Sequence, residues 1–269
     1  MAALGQGEAE TERLHPPGLL MMLAEVRALL EFNGSLLLSP LLLRAPRGDG
    51  HPVLAVPGFL ATDTSMAPLR AYLKQLGYDT YAWKLGRNLG GVASRRNALK
   101  KLLSDIHAGT GRKVSVVGWS LGGIYARDLA LQLPDMVRSV ITLGSPFAHD
   151  VRATNATWLY EALSGETIEA NSELTDAIAG DLPVPVTSIY SRADGIVNWH
   201  TSQLRPSGTA ENIEVLLASH IGLAVNAAVL WAIADRLAQP EGQFSPFDRS
   251  GPFAIAYGSP ERAQSEPAS

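Results

Sequence analysis

The alternation of short β-rich runs with helical stretches is the feature that most restricts what this 269-residue chain can fold into. The runs with the length and composition of strands are residues 52–56, 78–83, 113–117, 137–143, 184–191 and 213–217. Helical spacing fills much of the chain between and after them, at residues 66–76, 92–108, 121–133 and 221–238. Parallel strands need crossover connections, which helices usually supply. The sequence therefore predicts an α/β fold with a mostly parallel central sheet and helices on both faces.

Composition and charge favour one packed globular protein. Apolar residues make up 46% of the chain and charged residues 18%, and the formal net charge is -4 at pH 7. A chain with this charge has no electrostatic attraction for phosphate backbones, so nucleic acid is not expected as a partner. The chain has no cysteine, which excludes disulfides, thiolate metal sites and a cysteine nucleophile.

Residues 1–51 are predicted to form an N-terminal helix and an apolar segment that pack on the body of the protein. Residues 1–15 lack the basic start of a secretory signal, so a cytoplasmic location is expected. Polar residues interrupt the apolar stretch at residues 18–43 too often for it to cross a bilayer, and we expect an amphipathic helix at residues 19–32. Contact of this segment with a membrane surface, a lipid or a partner protein is the alternative.

The rest of the chain divides into one α/β domain and a tail. Residues 52–239 hold the predicted strands and helices, whereas residues 240–269 are rich in Gly, Pro and Ser and predict an irregular tail. The alternation breaks at about residues 147–181, where a helical stretch carries apolar side chains that include Trp158 and Leu159. Such an insertion suits a helical cap over a binding cleft, and a surface helix pair is the alternative.

Ser120 stands at the centre of Gly118-Trp119-Ser120-Leu121-Gly122, directly after a predicted strand and at the start of a predicted helix. Small residues two positions before and after a serine permit a strained turn that lifts its side chain above the carboxyl edge of a sheet. The bare pattern arises often by chance, but the strand before it and the helix after it are the setting that it requires. Ser120 is therefore predicted to be a nucleophile, and a serine that caps the helix is the alternative.

A serine nucleophile needs a histidine base and a carboxylate that orients the histidine. The histidines that follow the serine in the chain are His149, His200 and His220. His220 lies between a predicted strand and the last predicted helix, which places it at the carboxyl end of a strand. Asp194 follows the β-rich run at residues 184–191 and stands before Gly195 in a turn. A loop at the end of a strand would present a carboxylate at this place. His220 and Asp194 are the predicted base and acid, and Asp150 is the rival for the acid.

The same chemistry needs two backbone N–H groups that point at the oxygen that becomes negative in the tetrahedral intermediate. Leu121 can offer one from the helix N-terminus, where the helix dipole also favours negative charge. The second is predicted from Phe59, since Gly58 lets the backbone after the first strand approach closely. An ordinary turn at the end of that strand is the alternative.

Together these stretches resemble the lipase and esterase branch of the α/β-hydrolase superfamily over residues 52–238. Gly118-Trp119-Ser120-Leu121-Gly122 resembles the nucleophile elbow, and Val56-Pro57-Gly58-Phe59-Leu60 resembles the oxyanion loop. Asp194-Gly195 resembles the acid turn, and Ser219-His220 resembles the histidine loop. Gly144-Ser145-Pro146 resembles the turn that follows the next strand. Many lipases carry histidine where Pro57 stands. This difference does not remove the oxyanion donor, because the donor is a backbone N–H group that follows this position.

The resemblance implies an acyl-enzyme mechanism on Ser120, with the predicted histidine as base and the predicted aspartate holding its tautomer. It implies no metal and no organic cofactor. The expected substrate is an apolar acyl ester, with water or an alcohol as the acyl acceptor. Trp119, Trp158 and Leu159 are candidate contacts for the acyl chain, and for Trp119 packing under the elbow is the alternative.

The function that the sequence favours is a serine carboxylic-ester hydrolase of the esterase or lipase type. An acyltransferase would use the same three side chains and prefer an alcohol or amine to water, and the sequence leaves that alternative open. A non-catalytic binding protein with the same fold is a further alternative, which the presence of every element of the predicted triad argues against.

Overall fold

In the part of the chain that the structure describes, six parallel strands form a central sheet. The computed structural model describes residues 14–148, 153–155, 157, 161 and 172–260. The strands are β1 (Pro52–Val56), β2 (Asp79–Ala82), β3 (Val114–Trp119), β4 (Val137–Leu143), β5 (Val186–Tyr190) and β6 (Ala210–Glu214). Their order across the sheet is β2-β1-β3-β4-β5-β6, and each adjacent pair is parallel. The predicted α/β fold with a mostly parallel sheet is confirmed.

Helices precede, connect and follow these strands. In the described residues the α-helices are α1 (Leu19–Leu23), α2 (Ala28–Leu37), α3 (Ser39–Leu42), α4 (Ala67–Gln75), α5 (Val92–Thr110), α6 (Leu121–Gln132), α7 (Ser172–Ala179) and α8 (Ala227–Leu237). Short 3₁₀ turns occur at Ala24–Arg27, Trp199–Ser202, Gly222–Ala224 and Ala254–Ala256.

Alternate side chains of the strands enter two hydrophobic cores, one on each face of the sheet. Val53 and Ala55 of β1 pack in one core with α4 and α8. Leu54 and Val56 of the same strand pack in the other core with α5 and α6. All residues of β1 are buried, as expected for a parallel strand that helices cover on both sides. Both faces of the sheet are therefore occupied, and the strand ends are the places left for a site.

The sixth strand and the last helix differ from the prediction in their bounds. β6 spans Ala210–Glu214 rather than residues 213–217, because Leu217 has a positive φ of 60°, which a strand does not accommodate. The last helix spans Ala227–Leu237 and starts later than predicted. Asn226 caps this helix with a side-chain oxygen that accepts hydrogen bonds from its first turn.

The N-terminal segment, residues 15–37, contacts the loops at the carboxyl edge of the sheet through its charged side chains. Its helical stretch consists of α1, a 3₁₀ turn and α2. Glu25 in this segment is 4% exposed, whereas Leu20 is 83% and Leu37 82% exposed. A helix that packs through an apolar stripe has the opposite pattern. The charged face of the segment, rather than its apolar face, therefore makes the contact with the body.

The tail covers the edge strand β6 over its described part, residues 240–260. Phe247 and Tyr257 are buried there. The Tyr257 hydroxyl donates to the Ala228 carbonyl (2.8 Å), and the Arg249 guanidinium donates to the Asn212 carbonyl of β6 (3.0 Å). An uncovered edge strand would offer its free backbone groups to another chain, so this contact protects the sheet from edge-to-edge pairing.

A polar cluster lies at the amino-terminal ends of the strands, opposite to their carboxyl ends. The buried His51 ring contacts Asp49 through Nδ1 (2.6 Å) and the Ser115 hydroxyl through Nε2 (2.9 Å). Burial lowers the pKa of His51, although Asp49 acts in the opposite direction. Desolvation would raise the pKa of Asp49, but hydrogen bonds from His51 and Arg138 outweigh it and hold that pKa well below its usual range. His51 is thus a neutral, buried structural residue.

In the part of the chain that the structure describes, no helix combines the length and the hydropathy needed to cross a membrane.

Candidate active site

Ser120 lies in a sharp turn between β3 and α6. Its φ of 54° and ψ of −124° fall in a strained region for a residue with a side chain. A Cβ at Gly118 would overlap the Gly122 carbonyl, and a Cβ at Gly122 would overlap the Val56 carbonyl. Both glycines are therefore needed for the turn to form against β1. The Ser120 hydroxyl makes no capping hydrogen bond to α6, so the alternative role as a helix cap has no support in the structure.

Asp194 and His220 are brought together in the loops that follow β5 and β6. His220 Nδ1 lies 2.6 Å from Asp194 Oδ2, and both side chains are buried. The other carboxylate oxygen, Asp194 Oδ1, accepts hydrogen bonds from the backbone N–H groups of Ile196 (2.9 Å) and Val197 (2.7 Å). These bonds fix the plane of the carboxylate and leave Oδ2 for the imidazole.

The charge around His220 determines its proton affinity. Burial alone would lower the pKa of the imidazole, but the charge of Asp194, its hydrogen bond and the charge of Glu25 outweigh burial and raise that pKa. The protonated imidazolium is therefore stabilised by two carboxylates inside a buried site. A base that must accept a proton during a reaction benefits from this arrangement.

Trp119 links the serine turn to the histidine loop. Its indole N–H donates to the His220 carbonyl (2.9 Å), and the two rings lie 6.0 Å apart between centroids. Gly144, at the end of β4, lies beside the pair, because a Cβ there would approach Asp194 Oδ2 to 3.0 Å and His220 Nδ1 to 3.2 Å. Ser120, Asp194 and His220 thus follow β3, β5 and β6 at one edge of the sheet, as the sequence predicts, and Trp119 braces two of their loops.

The loop after β1 lies directly against the serine turn. A Cβ at Gly58 would be 3.1 Å from the Ser120 Cβ and 3.2 Å from the Trp119 carbonyl oxygen. Phe59 is the next residue of this loop, and Leu121 is the first residue of α6, where backbone N–H groups have no partner within the helix. The two predicted donors therefore come from elements that flank Ser120 on either side.

Asn88 supports this loop, although its sequence, Gly86-Arg87-Asn88-Leu89-Gly90, favours an ordinary turn over contact with the site. It is fully buried, and its side-chain N–H donates to the Pro57 carbonyl (2.8 Å). Its backbone carbonyl accepts from Leu60 N–H (2.7 Å), and its own N–H donates to the Ala61 carbonyl (2.9 Å). An asparagine between glycines reads as an ordinary turn, so its role became visible only from these long-range contacts.

Several predicted residues lie outside the described part of the chain. They are the rival acid Asp150, the histidine His149 and the candidate acyl contacts Trp158 and Leu159. His200 is described and lies in the turn Trp199–Ser202, where its ring contacts the side chain of Asn198 (3.0 Å). Among the described residues no group of three or more His, Asp or Glu side chains is placed to hold a metal ion.

Comparison with known proteins supports the assignment of the fold. No protein-family model matches the chain. Lipase BlEst2 from Bacillus licheniformis is similar in structure with a TM-score of 0.53 and 19% identity, over 73% of this chain and 95% of that chain. A monoacylglycerol lipase from Paleococcus ferrophilus gives a TM-score of 0.53 and 17% identity, over 72% of this chain and 96% of that chain.

Aspergillus fumigatus lipase B gives a TM-score of 0.55 and 20% identity over 71% of this chain, which spans 53% of that larger chain. At these identities structural similarity establishes the fold and leaves the reaction to be argued from the site. With its parallel sheet, its strained serine turn between β3 and α6 and these structural neighbours, the chain has the α/β-hydrolase fold of lipases and esterases.

Proposed function

We propose that this protein is a serine carboxylic-ester hydrolase that works through an acyl-enzyme on Ser120. The observation that carries the proposal is the buried 2.6 Å contact between His220 Nδ1 and Asp194 Oδ2, at the same sheet edge as the strained serine. A histidine that donates its Nδ1–H to a carboxylate keeps Nε2 free to act as a base. The named lipases among the structural neighbours support an ester as the bond that is attacked.

In the acylation step, Ser120 Oγ attacks the ester carbonyl carbon while His220 Nε2 takes the hydroxyl proton. Asp194 stabilises the imidazolium, and the backbone N–H groups of Phe59 and Leu121 donate to the oxyanion. The intermediate collapses as the C–O bond to the alcohol breaks and the imidazolium returns its proton to the departing oxygen. The alcohol leaves, and the acyl group remains as an ester of Ser120.

In the deacylation step, water attacks this ester while His220 takes one of its protons. The second intermediate collapses, the proton passes to Ser120 Oγ, and the carboxylic acid leaves. Acyl transfer would follow the same path with an alcohol in place of water. Product analysis in water with a small amount of added alcohol separates the two, because predominant transesterification at low alcohol would make the protein an acyltransferase.

We propose apolar acyl esters as the substrate class. Leu217 and Ile221 flank His220 on the same loop, and Leu217 is 79% exposed. The N-terminal segment, which contacts this loop through Arg27, also exposes leucines, and they are the proposed contact with a lipid surface. Rates on esters of increasing acyl length, measured below and above their solubility limit, should rise with chain length. Rates that stay flat or fall would contradict this substrate class.

A fluorophosphonate probe tests the nucleophile directly. Wild type should be labelled, and Ser120→Ala should not, since the probe reacts with an activated serine. Ser207→Ala is the matched control, because Ser207 is an exposed serine on a distant loop, and it should be labelled as wild type is. The proposed function is wrong if wild type resists labelling or if Ser120→Ala is labelled equally.

A further inference from the structure

We infer that Glu25 is a positioning residue that holds two loops of the site in their working arrangement: the acid loop (residues 191–197, after β5, with Asp194) and the histidine loop (residues 215–222, after β6, with His220). This inference rests on the proposed function. Glu25 Oε1 accepts hydrogen bonds from the backbone N–H groups of Gly195 (2.8 Å) and His220 (3.0 Å). Its other oxygen accepts from the N–H of Ile221 (2.9 Å). One carboxylate therefore joins the residue after Asp194 to His220 itself and to the residue that follows it.

The burial of Glu25 makes these bonds strong and specific. A carboxylate that is 4% exposed has lost nearly all contact with water, and this costs free energy unless hydrogen bonds replace that water. Three backbone donors supply the replacement, and bonds to a charged acceptor are shorter and stronger than neutral ones. Because the donors belong to two loops, the bonds are satisfied together only when the loops have the right relative position.

Two neighbouring charged side chains of the N-terminal segment also contact these loops, and one of them, Arg27, contacts both. Arg27 donates to the carbonyl of Ala193 in the acid loop and to the carbonyl of Ala218 in the histidine loop (3.2 Å to Ala218). Glu31 accepts from the backbone N–H of Ser219 (2.9 Å). The segment thus contacts the backbone on both sides of the Asp194–His220 pair.

Glycines in the two loops make room for the segment. A Cβ at Gly195 would overlap the Met21 carbonyl oxygen, and a Cβ at Gly222 would overlap the Glu31 carboxylate. A loop that merely needed a turn would not require an empty side-chain position that faces another element. The loops are therefore shaped to receive this segment.

The orientation of the segment separates a positioning role from simple covering of the core. A segment that served only to cover apolar surface would turn its leucines inward. Here Leu20 is 83% exposed while Glu25 is 4% exposed, so the contact with the body depends on polar bonds to the catalytic loops. The charge of Glu25 also acts on the site, since it contributes, after Asp194, to the raised pKa of His220.

The test measures kcat, KM and the pH profile per reactive site for Glu25→Ala and Glu25→Gln, with sites counted by fluorophosphonate titration. Glu241→Gln is the matched control, because Glu241 is an exposed carboxylate in the tail. Since loop displacement of the order of 1 Å can cost about 100-fold in rate, kcat of Glu25→Ala should fall by about that factor with KM little changed. Glu25→Gln keeps one acceptor oxygen and should fall less, by about tenfold.

The pH profile distinguishes positioning from stability. Loss of the Glu25 charge lowers the pKa of His220, so the acidic limb of kcat/KM should move to lower pH in both variants and stay unchanged in the control. If the titrated sites of both Glu25 variants keep wild-type kcat and an unshifted limb, Glu25 serves stability alone and the inference is overturned. Wild type that fails to react with the probe would instead overturn the proposed function, and with it this role.

Discussion

At the scale of single residues, the two oxygens of Asp194 accept different hydrogen bonds, and this determines the tautomer of His220. Oδ1 accepts two backbone N–H groups, so that only Oδ2 is available to the imidazole. The ring must then present its N–H to Asp194 and its unprotonated nitrogen away from it. The carboxylate acts as a fixed acceptor rather than as a second base.

Asp194→Asn should therefore lower kcat by about 10⁴-fold while the fold is retained, because an amide can donate to Nδ1 and stabilise the wrong tautomer. Ester hydrolysis measured with thermal unfolding checks both parts of this expectation. Asp135→Asn, in an exposed turn, is the control and should behave as wild type. Near-normal activity in Asp194→Asn would transfer the role of the acid to Asp150.

At the scale of elements, the loops of the site pack closely against neighbouring elements, because glycines stand at the contact points. Gly58 lies against Ser120, Gly144 against the Asp194–His220 pair and Gly195 against Met21. A Cβ at Gly195 would overlap the Met21 backbone, whereas a Cβ at Gly58 would lie 3.1 Å from the Ser120 Cβ and one at Gly144 would lie 3.0 Å from Asp194 Oδ2. Small substitutions at such glycines should affect both stability and catalysis.

Gly195→Ala should lower the free energy of unfolding by about 1–3 kcal/mol, because the added Cβ must displace the backbone at Met21. The displaced N-terminal segment should also reduce kcat. Gly208→Ala is a matched control, since a Cβ at Gly208 would meet nothing within 4 Å. Urea unfolding and ester hydrolysis measure the two effects, and equal behaviour of the two variants would contradict the close fit of the acid loop.

The sequence predicted those elements whose signals are local. The strand, the glycine-flanked serine and the helix around Ser120 are contiguous in the sequence. Asp194 and His220 each lie in the loop that follows a strand. β1 was predicted with its exact bounds, because its run of buried apolar residues has no polar interruption.

The contacts of Asn88 and Glu25 were not predictable in this way. Asn88 bonds Pro57 at a separation of 31 residues, and Glu25 bonds Gly195 at a separation of 170. In both pairs, the local sequence around one residue gives no indication of its distant partner. The inverted burial of the N-terminal segment contradicted the periodic pattern, because backbone donors in distant loops attract its charged side chains more than the core attracts its leucines.

At the scale of the whole molecule, two buried histidines at opposite edges of the sheet give opposite pH dependences to stability. His51 has a lowered pKa, so the unfolded chain binds a proton below its ordinary value of 6.5 that the folded chain does not bind. Its contribution to stability is present above pH 6.5 and is lost as the pH falls. His220 has a raised pKa, so its contribution is present below 6.5 and is lost as the pH rises through the folded value.

Removal of His220 should therefore expose the acid sensitivity of His51. We expect the free energy of unfolding of His220→Ala to fall more steeply between about pH 7.5 and 5 than that of wild type, because the opposing proton uptake is gone. Urea unfolding at both pH values measures this difference. A slope in His220→Ala that is equal to or shallower than the wild-type slope would contradict the directions given for the two histidines.

The bonds from Glu25 to His220 and Ile221 join residues 195 and 196 positions apart, and this affects how the protein is made. A ribosome releases the N-terminal segment first and the histidine loop late. Until that loop has emerged, the segment has neither its backbone donors nor the glycine at position 222 that accommodates it. Nascent chains that already contain a folded strand–Ser120–helix turn should consequently be inert toward esters, and activity should appear only after the histidine loop, residues 215–222, has left the ribosome.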